Sequence, residues 1–367
     1  MPEVTAVNKV NSDLILTALK DSTHGYHFGK PKRPDEKALT VLMPILRKTN
    51  HDRGYTTFPE SDTTMVFDTG TVSEIDVENK GDTHVFIRTG TMFKGSTQER
   101  TLQRSIFLMK GAKNRINVRC VHMTRATGHA KMSYGGITTN AFMQKCYTSG
   151  FTPKGQGDYW NNVHEETSKM RCMMGGHNVG MSMESGADML SHLSPPTGGG
   201  PEPIVSGWSS ALGKERRPVV GRPAFKADDL AANMMAFEKN YEELLSKVKL
   251  EDDQVGVVLI TDTGVQMIES FDHPASWKSL HETAVKAMGT DMVKEDKESV
   301  FEFKPDHALS LTQKVLAMDF EHNAIYHHPG KDESPSVTIT GLTAKGYVGE
   351  VVEVNGEVIH LVLFKQA

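Results

Sequence analysis

TMVFDTGTVSEIDVENKGDTHVFIRTGTMFKGSTQERTLQRSIFLMKGAKNRINVRCVH (64–122) carries the strongest fold signal in the chain. Short runs rich in β-branched and aromatic residues (TMVFD, TVSEIDVEN, THVFIRTG, RSIFLMK, INVRCVH) alternate with turn formers: Asp68-Thr69-Gly70, Asn79-Lys80-Gly81-Asp82 and Lys110-Gly111-Ala112-Lys113-Asn114. β-branched and aromatic side chains fit a pleated, half-buried surface, whereas Gly, Asn and Asp accept the backbone angles of tight turns. Several such strands at nearly even spacing predict a sandwich-like or barrel-like sheet.

Outward from this stretch, ALTVLMPIL (38–46) is short, apolar and interrupted by proline, which favours a strand over a helix. A helix over 10–19 and a polar lead-in precede it. Residues 126–158 are rich in Gly, Thr, Ser and Tyr, and 158–173 has helical spacing through Trp160, Val163, Thr167 and Met170. From 174 to 226 the chain is rich in Gly, Pro and Ser. Residues 227–249 form the clearest amphipathic helix, with Leu230, Met234, Phe237, Tyr241, Leu244 and Val248 on one face. A hairpin turning at Asp262-Thr263-Gly264, helices over 274–288 and 307–318, and strands around 336–340, 347–354 and 357–364 follow; Asn355-Gly356 is a type I′ hairpin signal.

The expected fold is therefore α+β. A β-rich, sandwich-like N-terminal half (38–125) follows a helix and lead-in (1–37). An irregular Gly/Met/Pro-rich region lies around a helix (126–226). The C-terminal half (227–367) reads helix–hairpin–helix–hairpin, and the two halves of the core make one compact unit.

The 367 residues are 38% hydrophobic and 24% charged, with a formal net charge of −5. These are ordinary globular values and argue against a dedicated nucleic-acid binder. Three cysteines, Cys120, Cys146 and Cys172, make no disulfide framework and no CxxC, which fits a reducing, cytoplasmic compartment. The N-terminus lacks the charge-then-apolar pattern of a signal peptide, and no apolar run is long enough to span a membrane.

The densest polar feature is KGSTQERTLQR (94–104). Backbone N–H groups near Gly95, with the side chains of Gln98 and Arg100, suit an anion such as phosphate or carboxylate. The same residues also suit a turn whose side chains satisfy nearby backbone. Residues 88–125 hold nine Lys/Arg and one acid, whereas 60–82 hold seven acids and one base. That segregation fits a basic face aimed at a ligand, or two strands pairing opposite charges. Arg100 paired with an acid of 60–82 would count against an anion site.

In RCVHMTR (119–125), period-two alternation puts Cys120 and His122 on one side of a strand. A buried structural cysteine beside a satisfied histidine is the plainer account. His360 lies in a terminal strand and suits either core packing or proton transfer. No HExxH or HxH occurs among the sixteen histidines, so no metal site is expected, and no cofactor is called for.

VENKGDTHVFIRTGTMFKGSTQER, INVRCVHMTR, QGDYWNNV, DDQVGVVLITDTGVQMIESFDHPASW and VIHLVLF occur in that order. This ordered set resembles the family named for its association with ADP-ribosylglycohydrolases and the rhodanese-phosphatase superfamily, whose activity is unassigned. The resemblance implies a context of NAD or ADP-ribose metabolism. It matches a Gly-x-x-Gln-x-Arg element at Gly95, Gln98 and Arg100, and places His122 where the family tends to carry an acid. The expected function is binding or processing of an anionic, nucleotide-like small molecule. Gly95, Gln98 and Arg100 would bind it, and His122 and His360 would transfer protons. The rival expectation is a non-catalytic module that assembles with itself or a partner through 126–226.

Overall fold

The computed structural model of the chain describes residues 5–34, 40–49, 51–95, 99–121, 131–173, 230, 234, 246–292, 305–331 and 334–366. All belong to one compact unit made of Met1–Met174 and Lys226–Ala367; a second unit, Gly175–Phe225, lies outside the described residues. Both halves of the expected core, 38–125 and 227–367, are thus in the same unit.

The strand-rich stretch is as the sequence reads, but it closes on itself. Strands β4 (Thr64–Asp68), β5 (Glu74–Asn79), β7 (Thr91–Lys94), β8 (Arg100–Leu102), β10 (Lys113–Cys120) and β11 (Lys131–Ile137) form a barrel in the order β10-β5-β4-β11-β7-β8. Every strand of the barrel pairs with two neighbours, and β10 and β11 divide theirs along their length. β10 pairs with β5 through 113–117 and with β8 through 118–120, while β11 pairs with β4 and then with β7. A closed sheet leaves no edges to protect. Val66, Ile75, Val77, Phe93, Val118 and Met132 fill the interior. A three-stranded sheet of β3 (Tyr55–Thr57), β6 (His84–Ile87) and β9 (Ile106–Leu108) adjoins it, with β3 and β6 parallel, and β12 (Tyr147–Thr148) pairs with β13 (Thr152–Pro153) in a short two-stranded sheet.

The second body is an eight-stranded sheet in the order β1-β2-β14-β15-β19-β18-β17-β16. Its strands are β1 (Tyr26–Phe28), β2 (Val41–Arg47), β14 (Gln254–Thr261), β15 (Gly264–Phe271), β16 (Glu321–His328), β17 (Val337–Ala344), β18 (Tyr347–Val354) and β19 (Glu357–Lys365). All its pairings are antiparallel. β14, β18 and β19 are buried on both faces, which explains their continuous apolar runs. On one face, α1 (Thr5–Lys20) and the last helix, α5 (Pro305–Leu316), cover Ile45, Val258, Ile268 and Leu361. On the other face lie α2 (Asn140–Lys145), α3 (Gln156–Met173), α4 (Pro274–Met292) and the small sheet. There Phe86, Phe142, Tyr159 and Trp277 pack with Met267, Phe271, Val362 and Phe364.

The fold is α+β with a β-rich N-terminal half and, among the described residues, five complete α-helices. The C-terminal half runs differently from the expected alternation. Leu230, Met234, Ser246 and Lys247 are helical, and the rest of the 227–245 helix lies outside the described residues. The hairpin β14–β15 is followed by α4 and α5 in succession, then by four strands rather than three. Residues 131–173 are regular: β11 completes the barrel, and α2 and α3 pack into the core. Among the described residues, no helix is long and apolar enough to cross a membrane.

Candidate functional site

The sequence-derived candidates separate. Gly95 ends β7 in a left-handed conformation (φ 107°), and a Cβ there would sit 3.3 Å from the Lys131 carbonyl oxygen. That explains the glycine without a ligand. Gln98 and His122 lie outside the described residues. Arg100, on β8, is 2% exposed. Its guanidinium stands 3.7 Å from the Asp68 carboxylate, donates to the Thr71 carbonyl at 3.3 Å and reaches Cys120 Sγ at 3.5 Å. Arg115 likewise pairs with Asp76 across β10 and β5, at 2.9 Å. The charge segregation of 60–125 is thus used at least in part between paired strands.

His360, on β19, is fully buried between the rings of Phe86 and Phe271. Its Nε2 lies 3.0 Å from Glu269 Oε1, and its Nδ1 is buried without a partner among the described residues. Burial lowers its pKa, so the ring is neutral and Nε2 carries the hydrogen that Glu269 accepts. Glu269 also takes a two-pronged contact from Arg88, with Nη2 donating to Oε2 at 2.8 Å. Burial pushes the Glu269 carboxyl up, but Arg88 and His360 together hold it down at about 2. This dry triad joins β6 to the large sheet. Arg100 and His360 share no partner among the described residues.

A different constellation faces solvent. A cleft of about 760 Å³ opens between the small sheet and the β18–β19 hairpin, a size usual for small-molecule sites. Its floor is built where two segments meet, HDRGY (51–55) and FDHPASW (271–277). The second ends β15 and starts α4. Pro274 is the first helical residue, suiting a position whose N–H would lack a partner, and His273 Nδ1 accepts from the Ala275 N–H at 3.0 Å. β3 is fastened onto this helix start. The Tyr55 hydroxyl donates to Asp272 Oδ1 at 2.6 Å and lies 2.8 Å from Ser276 Oγ, while Thr57 Oγ1 lies 2.6 Å from Ser279 Oγ.

Asp272 is 7% exposed, and burial raises its pKa against the opposing pull of Tyr55 and His51. Half-exposed His51 places Nε2 3.6 Å from Asp272 Oδ2. That is a loose ion-pair distance, of the kind common in acid–base pairs before a substrate arrives. Two arginines flank the pair. Arg53 Nη1 contacts Glu60 at 2.9 Å and donates to Ser276 Oγ at 3.3 Å. Arg47 Nη1 donates to the Tyr26 hydroxyl and the Asp272 carbonyl, each at 3.1 Å. Each arginine therefore hydrogen-bonds the protein through one nitrogen, and its guanidinium lies over a tyrosine ring, Arg47 over Tyr26 at 4.6 Å and Arg53 over Tyr55 at 5.2 Å. Among the described residues, Nη2 and Nε of both lack a partner without being sealed from solvent. Cleft acids Asp52 and Glu357 are exposed. Among the described residues, no three His, Cys, Asp or Glu side chains gather as a metal site.

Sequence reading missed this cleft. The available signal was an Asp-His pair before a proline at a strand-to-helix junction, together with a second His-Asp-Arg run. Nothing in either string says that they meet. The model of the ARG and Rhodanese-Phosphatase-superfamily-associated Protein domain matches residues 25–364, which include every cleft residue named above. No curated protein and no solved structure matches the chain.

Proposed function

The chain belongs to the family of the ARG and Rhodanese-Phosphatase-superfamily-associated Protein domain, and from that membership and the cleft we propose that it binds and processes an anionic, nucleotide-like small molecule there. The NAD or ADP-ribose context comes from the family's name alone. The observation that carries the reading is the pairing of unspent guanidinium donors with an acid–base couple at one end of a solvent-filled cleft. Arg47 and Arg53 offer planar donor pairs matched to phosphate or carboxylate oxygens. His51, backed by Asp272, moves a proton to or from the bound molecule.

Thermal-shift and calorimetric titrations with inorganic phosphate, ADP-ribose and NAD test this. Wild-type protein is expected to bind at least one of them, and Arg47→Ala/Arg53→Ala, although less stable for the loss of its bonds to Tyr26, Glu60 and Ser276, to lose that binding while remaining folded by circular dichroism. Binding unchanged in the double variant, or no binding by the wild type, overturns the reading.

Self-association is a second reading. β16 is the last strand of the large sheet, its outer side has no strand neighbour among the described residues, and Tyr326 on it is 49% exposed. An open edge is a template for pairing with another chain. Light scattering that finds a monodisperse monomer removes this reading.

A further inference from the structure

We propose that the cleft recognises a planar heteroaromatic ring attached to the anionic group, stacked on a wall made by His84 and Phe107. This rests on the anion-binding reading of the same cleft and adds the chemical class of the ligand's other end.

The two ends are set by Tyr55. Its hydroxyl is held at Asp272 and Ser276, beside the arginines, and its ring packs edge-on to Phe107 with centroids 5.9 Å apart. The aromatic wall therefore begins where the polar end stops. His84 continues it, its ring centroid 5.4 Å from that of Phe107 with the planes only 34° apart. Phe107 is nearly buried and supports the wall; His84 is partly exposed and presents it.

The imidazole is fixed. Its Nδ1 accepts from the Lys110 N–H at 3.1 Å. Burial, with help from Lys110, lowers its pKa, so the ring is neutral and Nε2 carries the hydrogen. Among the described residues that Nε2 has no partner and is not sealed from solvent. A neutral, oriented aromatic face with one free in-plane donor suits a nucleobase, which offers both a π-face and ring acceptors. On the large-sheet side the cleft is lined by Val354 and Val358, with Pro335 just before β17 and the exposed acid Glu357 opposite Val354.

The test compares calorimetric affinities for inorganic phosphate, ribose 5-phosphate, AMP and UMP. Stacking of one base gives about tenfold tighter binding, so AMP or UMP is expected to bind the wild type at least about tenfold more tightly than ribose 5-phosphate. His84→Ala should erase that gap, and His84→Phe, which keeps a ring, should preserve it. Each variant is checked by circular dichroism. Equal affinities for ribose 5-phosphate and both nucleotides, or a gap that survives His84→Ala, overturns the ring site while leaving the anion site standing. No binding of any of the four overturns the ring site, and no binding of ADP-ribose or NAD either overturns both.

Discussion

Arg88, Glu269 and His360 show what a buried charge costs when its partner is removed. Arg88 and Glu269 are 4% and 0% exposed. Arg88→Ala would leave a carboxylate in the interior without its guanidinium, a change worth about 3–5 kcal/mol. Arg88→Met/Glu269→Leu removes both charges and is expected to cost less than the single variant. That holds even though it strands the His360 N–H, worth about 1–3 kcal/mol. Urea unfolding of the two variants decides the order; a single variant milder than the double would mean that water reaches the pair. Tyr55 makes a second prediction at this scale. Tyr55→Phe deletes the donor that lowers the Asp272 pKa, so that pKa, already raised by burial, should rise further. Carboxyl NMR titration of wild type and variant reads the change, and an unmoved Asp272 would show that Tyr55 does not tune it.

Among the elements, the single turn at Ser149–Phe151 is seated closely against the large sheet. It rests on β17, where the Gly150 N–H donates to Thr343 Oγ1 and a Cβ added to Gly341 would come within 2.5 Å of the Gly150 carbonyl oxygen. Gly341→Ala is therefore expected to destabilise the fold by about 1–3 kcal/mol, since neither backbone can yield cheaply. Unchanged thermal unfolding would mean that the turn moves aside. This contact also shows why some elements were legible in the sequence and others not. β5 alternates half-buried and buried residues between turn formers, β10 does the same with more accessible residues over Ile116–Cys120, and the β18–β19 hairpin carries Asn355-Gly356 with φ of 52° and 79°. Local chemistry sufficed there. β16, EHNAIYHH, pairs on one side only and buries little, so it lacks the apolar signature of a strand. β11 hides behind Gly135 and Gly136, and barrel closure depends on pairings between residues distant in sequence. The cleft was illegible for the same reason: Tyr55 and Asp272 are 217 positions apart, and each is ordinary until the fold joins them.

For the molecule as a whole, two buried glutamates set opposite pH responses. Glu269 is held at about 2 against an ordinary 4.5, so the stability it contributes is present above about pH 4.5 and lost as pH falls toward 2. Glu350, in the middle of β18, is pushed up to about 7 by burial, although both its oxygens accept from the Ser105 N–H, at 3.0 and 3.3 Å. The folded state holds this proton where the unfolded chain has released it. Its contribution is therefore complete below about pH 4.5 and lost as pH rises through about 7. A displacement of that size corresponds to about 3 kcal/mol. Ser105 leads into β9 and Glu350 belongs to the large sheet, so the titration acts where the N-terminal strands meet that sheet. Glu350→Gln keeps an oxygen for the Ser105 N–H but has no proton to lose. Wild-type stability measured against this variant should fall by about 3 kcal/mol between pH 4.5 and 8, because all other groups cancel in the comparison. Protection factors at Ile106–Leu108, which remove the intrinsic pH dependence of amide exchange, should fall over the same range in the wild type only. Parallel pH profiles for the two proteins would show that Glu350 is ionised throughout, with water or an arginine beside it rather than a dry sheet.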